Sequence, residues 1–325
     1  MTREPMPKQR RSLVLLLPLL VLLSPLAGGP AQGQDAADES SAYTAWLAAN
    51  EAKDVTKAYD LAGQYLAKFP TGQYADFMKK WIAGARGALF NEAIKAKDMD
   101  AMLKVGTERL KESPDDLDYL MGMALNLRIN ELFANPPKDT HAAQVTEFSK
   151  RAIDLIEGGK LPTGADPAKW KKDDTLAWLY QNQAIVAMKQ DRDDNALQDF
   201  EKSTRLAATN AVLKTYNALY CGSLRKQKYD AAVARLKALP EAERTDTPSE
   251  AAKAAVADAN READAAIDCW ARFVALAEAQ KASEDVRTRI SKTASDLFAY
   301  RNPQDPEGFR KLVDGHKQGQ PPPAN

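Results

Sequence analysis

The sequence predicts an all-α chain: an α-solenoid of about five helical hairpins in series, followed by a helical C-terminal cap. Three observations predict it. Apolar residues recur at three- and four-residue spacing, as Val55, Ala58, Leu61, Ala62, Tyr65 and Leu66 do, which puts them on one stripe of a helix. Runs that alternate with period two and are rich in Val, Ile or Thr are absent. Helix-stopping residues punctuate the chain at Pro70 to Gly72, Pro114, Pro136-Pro137, Gly158-Gly159, Pro240 and Pro303.

Between these breaks the expected pairs are 41–52 with 54–68, 73–96 with 98–112, 115–133 with 139–157, 173–190 with 192–207, and 210–226 with 229–239. Each segment is rich in Ala, Leu, Lys, Glu, Asp and Gln, which favour or tolerate a helix. Residues 158–172 form an insertion carrying Gly158, Gly159, Pro162, Gly164, Pro167 and an exposed-looking Trp170. From 245 to 316 the pattern changes to a cap. A long Ala-rich helix follows Thr247 or Ser249 as N-cap, with Ile267, Trp270, Phe273, Val274 and Ala277 as its stripe. A second helix, 283–300, and a short one ending near Val313 follow it. The tail, 317–325, with Pro321-Pro322-Pro323, is expected to be disordered.

The first 33 residues differ in kind. Arg3, Lys8, Arg10 and Arg11 precede a 14-residue apolar run, Leu13 to Leu26, and small residues follow through Ala31 and Gly33. This order is that of a secretory signal peptide, and it predicts a mature start at Gln34 with a linker over 34–40. The run is short of the ~20 apolar residues a bilayer span needs. No stable membrane span is therefore expected after cleavage, and the location is periplasmic or secreted. An uncleaved membrane anchor is the alternative. The chain has 45 basic and 45 acidic residues; without residues 1–33 it has 41 against 44. So balanced a charge gives no electrostatic case for nucleic acid.

Internal repetition is visible in the second helices of the pairs. Asp54 to Ala62, Asp98 to Met102, Asp194 to Phe200 and Tyr229 to Val233 share an acidic or aromatic start, then Ala or Met, then a hydrophobic residue. Ala58 to Pro70 and Met102 to Pro114 both keep a spacing of 12. These features resemble the tetratricopeptide repeat, most closely over 177–210, where Tyr180, Ala184, Ala196 and Phe200 fall at its large and small positions. Elsewhere Trp46, Phe90 and Tyr220 stand where that family prefers a small residue, and Pro70 to Pro114 spans 44 residues against its ~34. Phe69 to Ala75 followed by Trp81 is similar to the inter-repeat joint of periplasmic tetratricopeptide proteins in envelope assembly and division. A Pro-stopped helix with Tyr74 and Trp81 packed on a neighbour explains the same residues.

The resemblance implies a concave groove, lined by Trp178, Gln181, Ile185, Met188 and Lys189, then by Lys214, Asn217, Cys221, Leu224 and Arg225. Trp178, Ile185 and Met188 also read as ordinary helix–helix core, the plainer of the two readings. Cys269 shares a helical face with Ala266 and Phe273, so Cys221 and Cys269 read first as two buried thiols. A disulfide between them is the alternative that export permits.

Catalytic patterns fail residue by residue. Gly159-Lys160 lacks the rest of a phosphate loop, and Cys221-Gly222-Ser223 lacks the flanking glycines of a nucleophile elbow. Asp191, Asp193 and Asn195 suggest a calcium loop, but Ala196 replaces its Gly and Lys202 its final Glu. His141 and His316, the only histidines, have no ligand-spaced partner and read as surface residues. The expectation is no enzyme, no metal and no cofactor, but an exported scaffold or interaction module that binds a peptide segment or an envelope protein. A membrane-tethered scaffold and a cell-wall enzyme are the alternatives.

Overall fold

The computed structural model describes residues 30–245, 248–280 and 282–319. The leader expected over 1–33 and the tail expected over 317–325 lie for the most part outside the described residues. Among those described, every regular element is helical. The chain divides into two compact units, one up to Ala85 and one from Arg86 onward.

The first unit holds α1 (Pro30–Glu51), α2 (Val55–Lys68) and the part of α3 (Ala75–Ala96) that precedes Arg86. Helix α1 begins ahead of the expected linker 34–40. Residues 34–40 contain no Gly or Pro, and two of their acids have partners on α2: Asp38 pairs with Lys68 at 3.0 Å, and Glu39 accepts from the Tyr65 hydroxyl. Burial, then that hydrogen bond, pushes the Tyr65 hydroxyl up to about 12. Tyr65 Oη also accepts from the Tyr74 amide at 3.0 Å, and Tyr74 stacks on Tyr43 at 3.9 Å. Trp81 meets the buried Trp46 edge-on at 5.5 Å. Tyr74 and Trp81 thus pack on neighbouring helices.

The second unit runs from the rest of α3 through α4 (Met99–Glu112), α5 (Leu117–Leu127), a π turn (Arg128–Leu132) and α6 (Ala142–Glu157). Then come α7 (Lys172–Lys189), α8 (Asp193–Leu206), α9 (Ala211–Ala238) and the short α10 (Glu241–Arg244). Helices α11 (Glu250–Ala279), α12 (Glu284–Arg301) and α13 (Gly308–Lys317) complete it. Helix α7 is its spine, buried on nearly every face. Ala58, Met102, Ala196 and Ala232, the positions at which the sequence leads one to expect close helix crossing, are all 0% exposed, though Ala232 lies within the long α9.

Three interhelix turns share one geometry. Lys53, Lys97 and Asp191 are left-handed, with φ of 60°, 57° and 55°. In each, the next amide reaches back five residues: Asp54 to Ala49 at 3.1 Å, Asp98 to Ala93 and Arg192 to Ala187 at 2.9 Å. This six-to-one bond closes the first helix. Asp54 and Asp98 then cap the second helix, accepting from the Lys57 and Ala101 amides at 3.0 and 2.9 Å.

The expected fifth hairpin, 210–226 with 229–239, is not there. Helix α9 runs unbroken from Ala211 to Ala238. Nothing between Ser223 and Ala238 is Gly or Pro, and Gln227-Lys228 are good helix residues, so no turn chemistry interrupts it. Leu239, extended at φ −72° and ψ 149°, and Pro240 end the helix. Its partner is α11, tied to it by Arg225–Glu262 and Arg235–Asp258, both 2.9 Å. The stripe expected on α11 is buried at Ile267, Trp270, Phe273, Val274 and Ala277, against α12 and α13. Ser249 is the N-cap, accepting from the Ala252 amide at 3.2 Å.

The insertion is docked rather than free: Lys160 donates to the Asp115 carbonyl and the Thr163 amide to the Asp118 carboxylate at 3.2 Å. Trp170, expected to be exposed, is half-buried.

Candidate interaction site

Helix α5 ends in a widened turn, in which the Phe133 amide reaches back five residues to the Arg128 carbonyl at 3.0 Å. The turn carries Arg128 inward. Its Nη1 donates to Asn182 Oδ1 at 2.9 Å and to the Trp178 carbonyl at 3.5 Å, and its Nη2 donates to Gln181 Oε1. The ring of Phe133 lies 4.5 Å from the guanidinium carbon. All these acceptors are neutral, and no carboxylate among the described residues pairs with Arg128.

Burial lowers the Arg128 pKa to about 10, with the nearby Tyr220 and Tyr216 hydroxyls acting in the opposite sense. The group stays charged at neutral pH, at a cost on the order of 3 kcal/mol. Its Nε–H makes no hydrogen bond among the described residues, and Nε is not among the buried unpartnered atoms. A guanidinium with such a donor can take an oxyanion or carboxylate.

A buried polar chain holds this arginine in place. Gln181 donates to Asn217 Oδ1 at 2.6 Å, and Asn217 donates to Ser203 Oγ at 2.8 Å and Thr204 Oγ1 at 3.2 Å. On the other side, Asn182 donates to Ser149 Oγ at 3.2 Å. The π turn, α6, α7, α8 and α9 are therefore linked through side chains that are paired while buried.

Exposed apolar residues occur on the same turn and on α9: Ile129, Val212 and Tyr216 are 55%, 56% and 42% exposed. Tyr216 meets Phe133 edge-on at 5.8 Å and stacks with Tyr220 at 6.5 Å, and Tyr220 stacks on the buried Phe200 at 5.5 Å. A half-buried cation framed by exposed aromatic and aliphatic groups is the composition of an interface centre.

The residues expected to line a groove are distributed otherwise. Ile185 is core, and Gln181 and Asn217 are buried in the polar chain. Trp178 is half-buried against Ala177, Ala207 and Leu213. Met188 is half-buried, while the exposed Lys189 donates to the Lys138 carbonyl at 3.3 Å. Lys214 donates to the Ala208 carbonyl at 2.9 Å, and Arg225 is taken by the buried Glu262. Gln181 and Asn217 thus support the surface from beneath without forming it. Arg128, Phe133, Asn182 and Tyr216 were not anticipated. The signal for Arg128 was a charge in register with Leu117, Leu120 and Ala124 on an apolar stripe.

Cys221 and Cys269 are joined in a disulfide with Cα atoms 5.9 Å apart, rather than remaining two thiols. Pairing α9 with α11 brings the two positions face to face. Closing a 48-residue separation restrains the unfolded chain by about 4 kcal/mol in the chain-entropy account.

Both histidines are mostly buried, against the expectation of surface positions. His141 sits between Glu131, 2.6 Å from Nδ1, and Asp100, 3.3 Å from Nε2. With each ring nitrogen on a carboxylate, the group ties the start of α6 to the π turn and to α4. His316 Nε2 meets Asp268 at 2.9 Å. Among the described residues no group of three or more His, Cys, Asp or Glu is placed to hold a metal ion.

Compared with known proteins, the chain matches no protein-family model and no curated protein.

Proposed function

We propose that this chain is an exported, tetratricopeptide-like helical-repeat module that binds a peptide segment or envelope protein on the surface around Arg128, acting as a scaffold rather than an enzyme. The observation that carries the reading is the half-buried Arg128, charged and with no acid paired to it among the described residues, near the exposed Tyr216 and in a turn whose next residue, Ile129, is exposed. A partner that brings a carboxylate beside apolar side chains would relieve the cost of that charge and cover that surface.

Repeat architecture is supported by the recurring turn at Lys53, Lys97 and Asp191 and by the fully buried Ala58, Met102 and Ala196 of α2, α4 and α8. Gln181 stands on α7 and Arg128 on the turn that ends α5, the first helices of two hairpins in this reading, and such helices line a solenoid's concave groove. Export is supported by the charged, apolar and small-residue order of residues 1–33 and by the Cys221–Cys269 disulfide.

The test is twofold. Mass measurement of the protein from the cell envelope should give a chain starting at Gln34; an intact leader would favour a tethered scaffold. Affinity capture with the parent chain and with Arg128→Gln should yield a partner that the variant loses. Equal recovery with both would refute the assignment of the surface.

A further inference from the structure

A second site lies away from Arg128, between the last three turns of α9 and the first three of α11. There a cleft of about 910 Å³ opens, with the end of α12 contributing Tyr300. Its origin is in the sequence. The first part of α11 is mostly alanine, and the short side chains of Ala252, Ala257 and Ala259 line the cleft together with Val233 and Leu236. The apolar lining is not sealed: Val256 is 42% and Tyr300 75% exposed, unusual for residues inside a concavity.

Among the described residues the charges that line the cleft are of one sign. Lys237, Arg244 and Lys253 line it, and no Asp or Glu does so among the described residues. Lys253 is held by Glu250 at 2.8 Å, whereas Lys237 and Arg244 make no ion pair among the described residues. An apolar trough with an unneutralised cationic rim is complementary to one kind of occupant: a single apolar chain that ends in an anion. The volume falls within the ~300–1,000 Å³ of small-ligand sites.

We propose that this cleft binds a free single-chain anionic amphiphile, a long-chain carboxylate, with its chain along Val233 and Val256 and its head at the Lys237–Arg244 rim. The site shares no residue with the Arg128 surface, so the two readings stand or fall separately.

The purified full chain is titrated with 11-(dansylamino)undecanoate below its micelle concentration, and dansyl emission is read. The expected result is a saturable, blue-shifted rise, reversed by hexadecanoate and about tenfold less well by methyl hexadecanoate, whose head is uncharged. Lys237→Gln with Arg244→Gln should weaken hexadecanoate about tenfold, by loss of two head-group charges. Val256→Asp should abolish binding while helical content and the urea midpoint stay at parent values, and Arg128→Gln should leave binding unchanged. The proposal is overturned if no saturable rise occurs, if the ester competes as well as the acid, or if the double variant binds like the parent. Binding to phosphatidylglycerol vesicles without competition by hexadecanoate would also overturn it, since that identifies a membrane surface instead.

Discussion

Replacing Gly222 by alanine adds one methyl group where α9 crosses α11, and the structure fixes the sign of the effect. An alanine Cβ there would lie 2.7 Å from Trp270 Cγ and closer still to Cδ1 and Nε1. Trp270 is 3% exposed and packed among Ala266, Phe273 and Ala277, so its ring has nowhere to turn. The helices cannot separate freely either, because Cys221 and Cys269, each adjacent to one of the clashing residues, are bonded. Helix propensity favours alanine over glycine by about 1 kcal/mol. Overpacking a filled core costs about 1–3 kcal/mol. The net expectation is a loss of up to about 2 kcal/mol, toward the upper end because the ring and the helices are both held, seen as a lower urea midpoint by far-ultraviolet circular dichroism. Gly84 is the control: it is exposed within α3 and nothing lies within 4 Å of a Cβ there. Gly84→Ala should stabilise by about 0.5–1 kcal/mol. Introducing Cys221→Ser and Cys269→Ser should shrink the Gly222→Ala penalty, because the helices can then move apart. A Gly222→Ala chain as stable as the parent would refute the close α9–α11 crossing.

Three further outcomes follow from local geometry. Lys97→Gly should raise stability by about 0.5–1 kcal/mol in urea denaturation, since glycine adopts the left-handed φ of 57° without a Cβ penalty. Glu112→Gln should lower stability by about 2 kcal/mol, because it replaces the carboxylate that accepts two hydrogen bonds at 2.7 Å from the buried Arg86 with a neutral amide. Acid should weaken the fold through two carboxyls. Burial alone would raise Asp268, but the His316 hydrogen bond and the Arg272 and His316 charges outweigh it and hold it below its ordinary value; the Arg86 hydrogen bond does the same for Glu112. A depressed native pKa means the unfolded chain binds more protons, so this stability is present above about pH 4 and is lost as pH falls through the lowered values. Urea midpoints between pH 7 and pH 3 should fall, and the Glu112→Gln chain should fall less steeply.

Helices were legible wherever a stripe ended at a breaker. Pro70, Pro114 and Pro240 each close a helix as their ring chemistry demands, and the buried face of α11 follows from its spacing alone. The turn expected in the middle of α9 was a different matter. Tyr229-Asp-Ala-Ala resembles the start of a repeat's second helix, but no residue before it breaks the first, and continuous packing on α11 decides the outcome. The disulfide depends on which faces of two distant helices meet, which periodicity does not encode. The surface around Arg128 was hidden for a related reason. Gln181, Asn182 and Asn217 look like residues for solvent, and only tertiary pairing makes them the buried support of a guanidinium. Positions carried over from a repeat family point at a groove only where the repeats are regular, and here the π turn and the unbroken α9 displace it.

The central claim is that partners bind at the surface around Arg128, and site-specific photo-crosslinking in living cells tests it most directly. A photoreactive residue is placed in turn at Ile129 and Tyr216, and at the exposed second-helix positions Lys150 and Glu201. One and the same partner should crosslink from Ile129 and Tyr216, not from Lys150 or Glu201, and its adducts should vanish when Arg128→Gln is added. Adducts of equal yield from all four positions, or adducts from Ile129 and Tyr216 that persist without the arginine, would contradict it.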